Sequence, residues 1–225
     1  MCPEAKMASY VFMRVLESAP QRYDRGINML TLGHSKRIQR EIVENYINAG
    51  DEVLEIGCGT GTLAISCADK GASVAAFDIS SQMLAIARRK VQERNLAGKI
   101  QLQEMGAIEM DKAFDNETFD KVVSTLVFSE LYLDEQRYVM GQAYRVLRPG
   151  GLIIVADEVM PNLLWKRILH LLVRIPLAVI TYILTQTSTK VLRDIKSLLS
   201  NAGFKVIHER RSSLDSFALY VARKG

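Results

Sequence analysis

A glycine-rich segment at residues 53–61 limits the folds open to this chain more than any other feature. It reads Val-Leu-Glu-Ile-Gly-Cys-Gly-Thr-Gly, a short apolar run followed by glycine at every second position. Glycine lets the backbone turn tightly and approach a ligand that a Cβ would exclude, and a helix beginning just beyond it offers free N–H groups. The dinucleotide pattern G-x-G-x-x-G would need glycine where the chain has Thr62. The spacing therefore favours another ligand, or a tight strand-to-helix turn that binds none.

Strand and helix patterns alternate on both sides of this segment. Apolar runs bounded by glycine or polar residues predict strands over 52–57, 72–78, 99–105, 119–128 and 152–159. Apolar residues at helical spacing predict helices over 35–49, 61–70, 80–95 and 134–147, and a helix end over 197–204. Two final strands meet at a turn near Asp215. This order predicts an α/β fold with a doubly wound, mostly parallel sheet and a C-terminal antiparallel hairpin.

Cysteine and histidine usage argues against a metal site. The chain has three cysteines without zinc-type spacing, and its three histidines are scattered. Free thiols suit a reducing compartment, so we expect a cytoplasmic protein. No signal peptide is expected, because Arg14 and Glu17 interrupt the apolar stretch near the N-terminus.

Asp78 ends the second predicted strand, 17 residues after Gly61. An acid at this position of an α/β fold can accept hydrogen bonds from both hydroxyls of a ribose. The alternative is a helix N-cap, since a helical pattern follows, and Ser80 competes for that role. The glycine-rich segment upstream favours the ribose role.

Four blocks of sequence together resemble the class I S-adenosylmethionine-dependent methyltransferases. They read E-I-G-C-G-T-G, F-D-I-S-S-Q-M-L-A-I-A-R, F-D-K-V-V-S-T-L-V-F-S-E-L and Y-R-V-L-R-P-G-G-L-I-I-V, in the order that the family has them. The resemblance implies a Rossmann-like sheet of seven strands, with the cofactor S-adenosylmethionine at the carboxyl ends of the first two. It also implies a single domain over residues 1–225. This domain would comprise an N-terminal helical cap (1–50), a cofactor-binding core (51–160), a helical insertion after the fifth strand (161–193), and a helix end with a strand pair (194–225).

The resemblance also implies which positions contact the cofactor. Glu55 would lie near the methionine amino group, Asp78 would hold the ribose, and Ile79 and Met83 would pack near the adenine. The full set of expected cofactor-binding residues is Glu55, Gly57, Cys58, Gly59, Gly61, Asp78, Ile79, Met83, Gly106, Ala107 and Thr125. One position departs from the family, which often has Asp-Ala after the third strand to bind the adenine amino group. Here the pair is Gly106-Ala107, and Glu104 or Glu109 could replace the missing acid.

The segment R-Y-D-R-G-I-N-M-L-T-L-G-H at 22–34 resembles the opening of the ubiquinone and menaquinone C-methyltransferases. It suggests Tyr23 and His34 as pocket residues, although each could instead be a packed aromatic or a polar residue at a helix start. Methyl transfer needs a base only if the acceptor must lose a proton. The expected catalytic residues are His34, Tyr23 and Glu130, and Ser129, Asp157 and Glu158 are further candidates by location after strands four and five.

Residues 161–185, P-N-L-L-W-K-R-I-L-H-L-L-V-R-I-P-L-A-V-I-T-Y-I-L-T, form an apolar stretch with a basic stripe. Its charges and Pro176 interrupt the stretch and argue against a full membrane span. The stretch could be a lid over a greasy acceptor pocket, a homodimer face, or a helix at a membrane surface. Residues 161–225 carry a net charge of +8 and residues 1–160 a net charge of −4. An anionic surface or acceptor would therefore meet the protein through 161–193.

The sequence thus predicts an enzyme that methylates a small, lipophilic acceptor by in-line displacement. A quinone-like ring carbon and a lipid or amine nitrogen are both open as the methylated atom. Two alternatives remain, a non-catalytic protein that binds the cofactor as a regulator or partner, and a methyltransferase of a polar small metabolite. No nucleic-acid partner is expected, because no nucleic-acid module or basic patch with interleaved aromatics occurs.

Overall fold

The computed structural model describes residues 34–159, 194–212, 215 and 217–225. The strands are β1 (Glu52–Ile56), β2 (Ser73–Asp78), β3 (Ile100–Glu104), β4 (Phe119–Thr125), β5 (Leu147–Glu158), β6 (Phe204–Arg211) and β7 (Phe217–Lys224). The helices are α1 (His34–Tyr46), α2 (Thr62–Asp69), α3 (Ser81–Glu93), α4 (Met110–Ala113), α5 (Leu133–Val146) and α6 (Ile195–Asn201). A 3₁₀ turn over Ala107–Glu109 precedes α4.

The seven strands form one sheet in the order β3-β2-β1-β4-β5-β7-β6. The first five strands are parallel, and β7 lies antiparallel between β5 and β6. This confirms the predicted doubly wound sheet and its C-terminal hairpin. The strand order reverses between β1 and β4, and in such sheets a ligand crevice lies at this switch point, outside the carboxyl ends of the strands.

Helices cover both faces of the sheet, because the strands are apolar on both sides. Leu54 of β1 belongs to one buried cluster, which also contains Met140 of α5. Val53 points to the opposite face and belongs to a second cluster with Ile42 of α1 and Leu84 of α3. Parallel strands buried on both faces are expected to read as continuous apolar runs, as residues 152–156 of β5 do.

Two strand boundaries differ from the sequence prediction by more than one residue. β4 ends at Thr125 rather than 128, because Leu126 adopts a left-handed backbone conformation with a φ of 62°. β5 begins at Leu147 rather than 152, directly after α5, because Leu147 already pairs with Phe119 of β4. The short helical elements between β3 and β4 were not predicted.

The predictions for the N-terminal cap before α1 and for the insertion at 161–193 lie outside the described residues. Within the described ranges, no helix combines the length and apolar character that a membrane span requires.

Strand β6 is one edge of the sheet and carries many charges. Its exposed positions include Lys205, His208 and Arg210. Arg210 forms an ion pair with Glu41 of α1, and the ring of His208 lies 6.2 Å from that of Tyr46 at the end of the same helix. Helix α1 is therefore tied to the edge strand as well as to the core.

Candidate functional site

The loop between β1 and α2, which we call the glycine loop (residues 57–61), has a main-chain conformation that requires glycine. Gly57, Gly59 and Gly61 have φ values of 70°, 51° and 74°. A Cβ on Gly57 would overlap Cγ2 of Val127, whereas a Cβ on Gly59 would meet no atom of the described residues within 4 Å. One side of the loop is thus packed on the β4 loop, and the side at Gly59 is open.

The glycine loop is anchored to the end of β2 by main-chain hydrogen bonds. The N–H groups of Gly57 and Cys58 both donate to the carbonyl of Phe77, each at 2.9 Å. Cys58 itself is buried, and burial raises the pKa of its thiol above the usual range. This thiol is therefore a packed neutral group rather than a reactive one.

Asp78 is buried at the end of β2, and both of its carboxylate oxygens receive backbone donors. Oδ2 accepts from the N–H of Gly59 at 2.7 Å, and Oδ1 accepts from the N–H of Ser80 at 2.9 Å. The N-cap of α3 is Ser80, whose hydroxyl oxygen accepts from the N–H of Met83 at 3.3 Å. Asp78 is therefore not the cap. Because each carboxylate oxygen has two lone pairs, the same group can also accept hydrogen bonds from a ligand.

Glu55 places a carboxyl group in the fully buried part of β1. Its side chain is 2% exposed, and Oε2 has no hydrogen-bond partner among the described residues. Burial, together with the charge of Asp78, raises its pKa to about 8, and a hydrogen bond from the backbone N–H of Ala64 opposes this shift. A buried, unpaired carboxyl oxygen is costly unless a donor or a cation satisfies it.

Apolar side chains are exposed at the carboxyl ends of β2 and β3. Ile79 is 64% exposed and Ile108 is 47% exposed, and a Cβ on Gly106 would lie 3.9 Å from each of them. Glu109 turns back, and its Oε2 accepts from the N–H of Gly106 at 2.7 Å. Glu104 is exposed on β3, in register with Asp78. Both candidate replacements for the missing acid therefore lie near this end of the sheet.

The remaining expected cofactor residues lie in different environments. Met83 is fully buried on α3, Ala107 begins the 3₁₀ turn, and Thr125 is the last residue of β4. Among the described residues no group of His, Cys, Asp and Glu side chains is arranged to hold a metal ion.

The loops after β4 and β5 meet at Asp157. This residue is 2% exposed, its Oδ2 accepts from the N–H of Ser129 at 3.1 Å, and its Oδ1 accepts from the N–H of Glu158 at 2.7 Å. Burial raises the pKa of Asp157 to about 6, although the hydrogen bonds from Ser129 and Glu158 lower it. Asp157 thus fixes the loop that carries Glu130.

Glu130 lies in the loop after β4, and the residue is exposed to solvent. Protein atoms around its carboxyl group nevertheless reduce the hydration of the charged form. This crowding raises the pKa of Glu130, and the negative charges of Asp157 and Asp78 raise it further. Of the other expected catalytic residues, Tyr23 lies outside the described residues, and His34 is the first residue of α1 with no described side chain.

Sequence reasoning missed three residues that shape the glycine loop. Val127 packs where a Cβ of Gly57 would be, and Lys90 and Thr60 are joined by a hydrogen bond behind the loop. Lys90 follows two other basic residues in the chain, but that run gave no sign of which one turns inward.

Comparison with known proteins identifies the family. A methyltransferase domain family matches residues 53–151. A phosphatidylethanolamine N-methyltransferase from Cereibacter sphaeroides is 34% identical over 145 residues, which are 64% of this chain and 69% of the relative. The chain belongs to the class I S-adenosylmethionine-dependent methyltransferases. This membership explains the strand order of the sheet and the glycine loop. It also confirms the family that the sequence resemblance indicated.

Other members of the family are similar to this methyltransferase. A demethylmenaquinone methyltransferase from Clavibacter sepedonicus is 31% identical over 145 residues, which are 64% of this chain and 56% of the relative. The solved structure of a SAM-dependent methyltransferase from Methanosarcina mazei has a TM-score of 0.65 at 22% identity, covering 81% of this chain and 96% of that chain. The match to the two sequence relatives spans 56% and 69% of their lengths. S-adenosylmethionine is the cofactor of the family.

Proposed function

We propose that this protein transfers a methyl group from S-adenosylmethionine to a small, lipophilic acceptor. The observation that carries the proposal is the open side of the glycine loop at Gly59, directly bonded to Asp78. A loop of this shape next to a buried carboxylate suits a nucleoside with a free ribose diol. The buried Oε2 of Glu55, which has no hydrogen-bond partner in the part of the chain that the structure describes, supports the same ligand because it suits a cationic amino group.

The cofactor's parts match the site from one end to the other. The ribose hydroxyls would donate to Asp78, and the exposed side chains of Ile79 and Ile108 would cover the adenine. The amino group of the methionine part would lie toward Glu55, on the other side of the glycine loop. Gly57 and Gly61 would shape the part of the loop that the methionine follows. Glu109, already bonded to the N–H of Gly106, is in this proposal the acid nearest the adenine amino group.

Bound S-adenosylmethionine supplies an activated methyl group on a sulfonium, so the protein has to orient the acceptor and exclude water. A quinol acceptor must also lose a hydroxyl proton so that its ring carbon can attack. An ammonium acceptor must lose a proton before its nitrogen can attack. Glu130 is the proposed base, because crowding and the charges of Asp157 and Asp78 make its carboxylate more basic than usual. Asp157 would position Glu130, because it accepts a hydrogen bond from the N–H of Ser129, the residue directly before Glu130.

The acceptor class rests on two relatives and on one segment of the sequence. The relatives are named for demethylmenaquinone and phosphatidylethanolamine, which are both lipophilic molecules. Residues 161–185 would add an apolar, basic surface near such an acceptor, either as a lid, as a homodimer face or as a helix at a membrane surface. A quinol ring carbon and a lipid amine nitrogen are the two acceptor atoms to be tested.

The decisive experiment measures formation of S-adenosylhomocysteine with different acceptors. Demethylmenaquinol, phosphatidylethanolamine vesicles, soluble metabolites and cell protein are supplied in separate reactions, and mass spectrometry locates the methyl group on carbon or nitrogen. Turnover with one of the two lipids is expected. Turnover only with a soluble metabolite would overturn the lipophilic acceptor. Binding of the cofactor without turnover in any reaction would favour a non-catalytic regulatory or partner protein.

A further inference from the structure

The glycine loop has a second side, opposite its open side at Gly59, and this side rests on α3. A Cβ on Gly61 would lie 2.9 Å from the Cβ of Ala87, so the loop and the helix are in close contact there. One turn later, Nζ of Lys90 donates to the hydroxyl oxygens of Thr60 at 3.0 Å and Thr62 at 3.3 Å. The two hydroxyl oxygens are themselves 3.3 Å apart. One ammonium group therefore joins the residues on either side of Gly61.

We propose that Lys90 is a positioning residue that holds the glycine loop in its cofactor-binding conformation. The inference rests on the proposed cofactor site and extends it to a residue outside that site. Thr60 is 3% exposed, so its hydroxyl needs a partner inside the protein. Gly59 and Gly61 flank it, and glycines leave the backbone many alternative conformations. An ammonium group bonded to both threonines removes those alternatives before any ligand arrives.

The expected consequence is a loss of preorganisation when Lys90 is replaced. Without its ammonium group, the loop would populate its binding conformation for only part of the time. The apparent dissociation constant for the cofactor rises in inverse proportion to that fraction. The open side of the loop and the carboxylate of Asp78 would be unchanged, so affinity is lost without loss of a direct contact.

A neighbouring residue provides a matched control. Arg89 belongs to the same basic run of α3, but its side chain is 56% exposed and lies 3.7 Å from Glu93 on the same helix. Arg89→Met removes one positive charge from α3, as Lys90→Met does. The control therefore corrects for the general effect on ligand binding of removing a positive charge from α3.

The first measurement is calorimetric titration with S-adenosylhomocysteine. Lys90→Met should raise the dissociation constant by about five- to twentyfold, less than the full value of a hydrogen bond to a charged donor because no direct ligand contact is lost, and Arg89→Met should change it by less than about twofold. Thr60→Val should weaken binding in the same direction. Because both changes remove the same interaction, the affinity loss of the double variant, relative to wild type, should be smaller than the product of the two single losses. Equal binding by Lys90→Met and wild type, or fully multiplicative effects, would overturn the role of Lys90.

The second measurement needs no ligand and separates this proposal from the proposed function. Amide hydrogen exchange over residues 57–63 should be faster in ligand-free Lys90→Met than in wild type, while exchange over β4 and β5 stays the same. Unchanged exchange in the loop would contradict the positioning role even if affinity falls. If the wild type binds no S-adenosylhomocysteine, the proposed function fails, and the exchange result still decides whether Lys90 orders the loop.

Discussion

The loops after β1 and β2 and the loops after β4 and β5 form two halves of the same sheet edge, but different forces hold them. In the first half, which we call the cofactor half, hydrogen bonds donated by backbone N–H groups hold the loop. Gly57 and Cys58 donate to Phe77, and Gly59 donates to Asp78. In the second, acceptor half, two buried polar side chains, Asp157 and Gln136, hold the loop through hydrogen bonds to its main chain.

This difference determines which changes disrupt each half. A loop built on glycine conformations fails when a Cβ is added, whatever charges surround it. A site built on buried side chains depends on the ionisation of those side chains, and so on pH. Substitutions in each half test this contrast.

Glu130→Gln tests the acceptor half. If Glu130 is the base, its loss should lower kcat by about 10²- to 10⁴-fold and leave binding of S-adenosylhomocysteine nearly unchanged. A base works only when ionised, so the wild-type rate should rise with pH through the raised pKa of Glu130 and then level off. The measurement is kcat against pH for both proteins. The same rising limb in the variant would assign the base to another group, such as Asp157 or Tyr23.

Gly57→Ala tests the cofactor half. Alanine at a φ of 70° costs about 1–2 kcal/mol, and overlap of its Cβ with Val127 adds about 1–3 kcal/mol. We expect the free energy of unfolding, measured in urea, to fall by about 2–5 kcal/mol in total. Gly50→Ala is the control, since Gly50 has a φ of 84° and its Cβ would meet nothing within 4 Å. Equal losses in the two variants would mean that packing on Val127 contributes nothing.

Asp78→Asn separates the ligand-binding role of Asp78 from its role in holding the loop. A hydrogen bond to a charged group contributes about 1.5–3 kcal/mol, so the dissociation constant for S-adenosylhomocysteine should rise by roughly 10- to 150-fold. Asp51→Asn is the matched control, because Asp51 is a partly buried, ion-paired acid at the other end of the sheet. Affinity in Asp78→Asn equal to that of Asp51→Asn would remove Asp78 from the ribose site.

Glu55→Gln tests how much the buried carboxyl group costs the empty protein. An acid with a raised pKa keeps its proton longer when folded, so between pH 4.5 and about 8 the folded state binds more protons than the unfolded state. The free energy of unfolding of the wild type should therefore fall as pH rises, by at most about 1.4 kcal/mol per pH unit. Urea unfolding of both proteins across neutral pH measures this slope. A wild-type slope no steeper than that of the variant would place the pKa of Glu55 near its usual value.

The sequence predicted the strand–loop–helix geometry of the cofactor half, because the signals for that geometry are local. Glycine at 57, 59 and 61 and an acid at 78 are visible without knowing what packs around them. The acceptor half was predicted only as a set of positions. The left-handed conformation of Leu126 has no sequence signal, since leucine rarely adopts it. The basicity of Glu130 depends on Asp78 and Asp157, which are far away along the chain.

The charged edge strand β6 has a consequence for how copies of this protein meet one another. An open sheet edge offers unpaired N–H and C=O groups to a strand of a second molecule, which is a common route to aggregation. On β6 the three basic side chains of Lys205, Arg210 and Arg211 outnumber the one acidic side chain, Glu209, so two copies of the strand would bring like charges together, and like charges across a strand pair repel. Edge-to-edge growth through β6 is thus disfavoured by its own side chains, and this end of the sheet protects the folded molecule against self-association into extended β-structure.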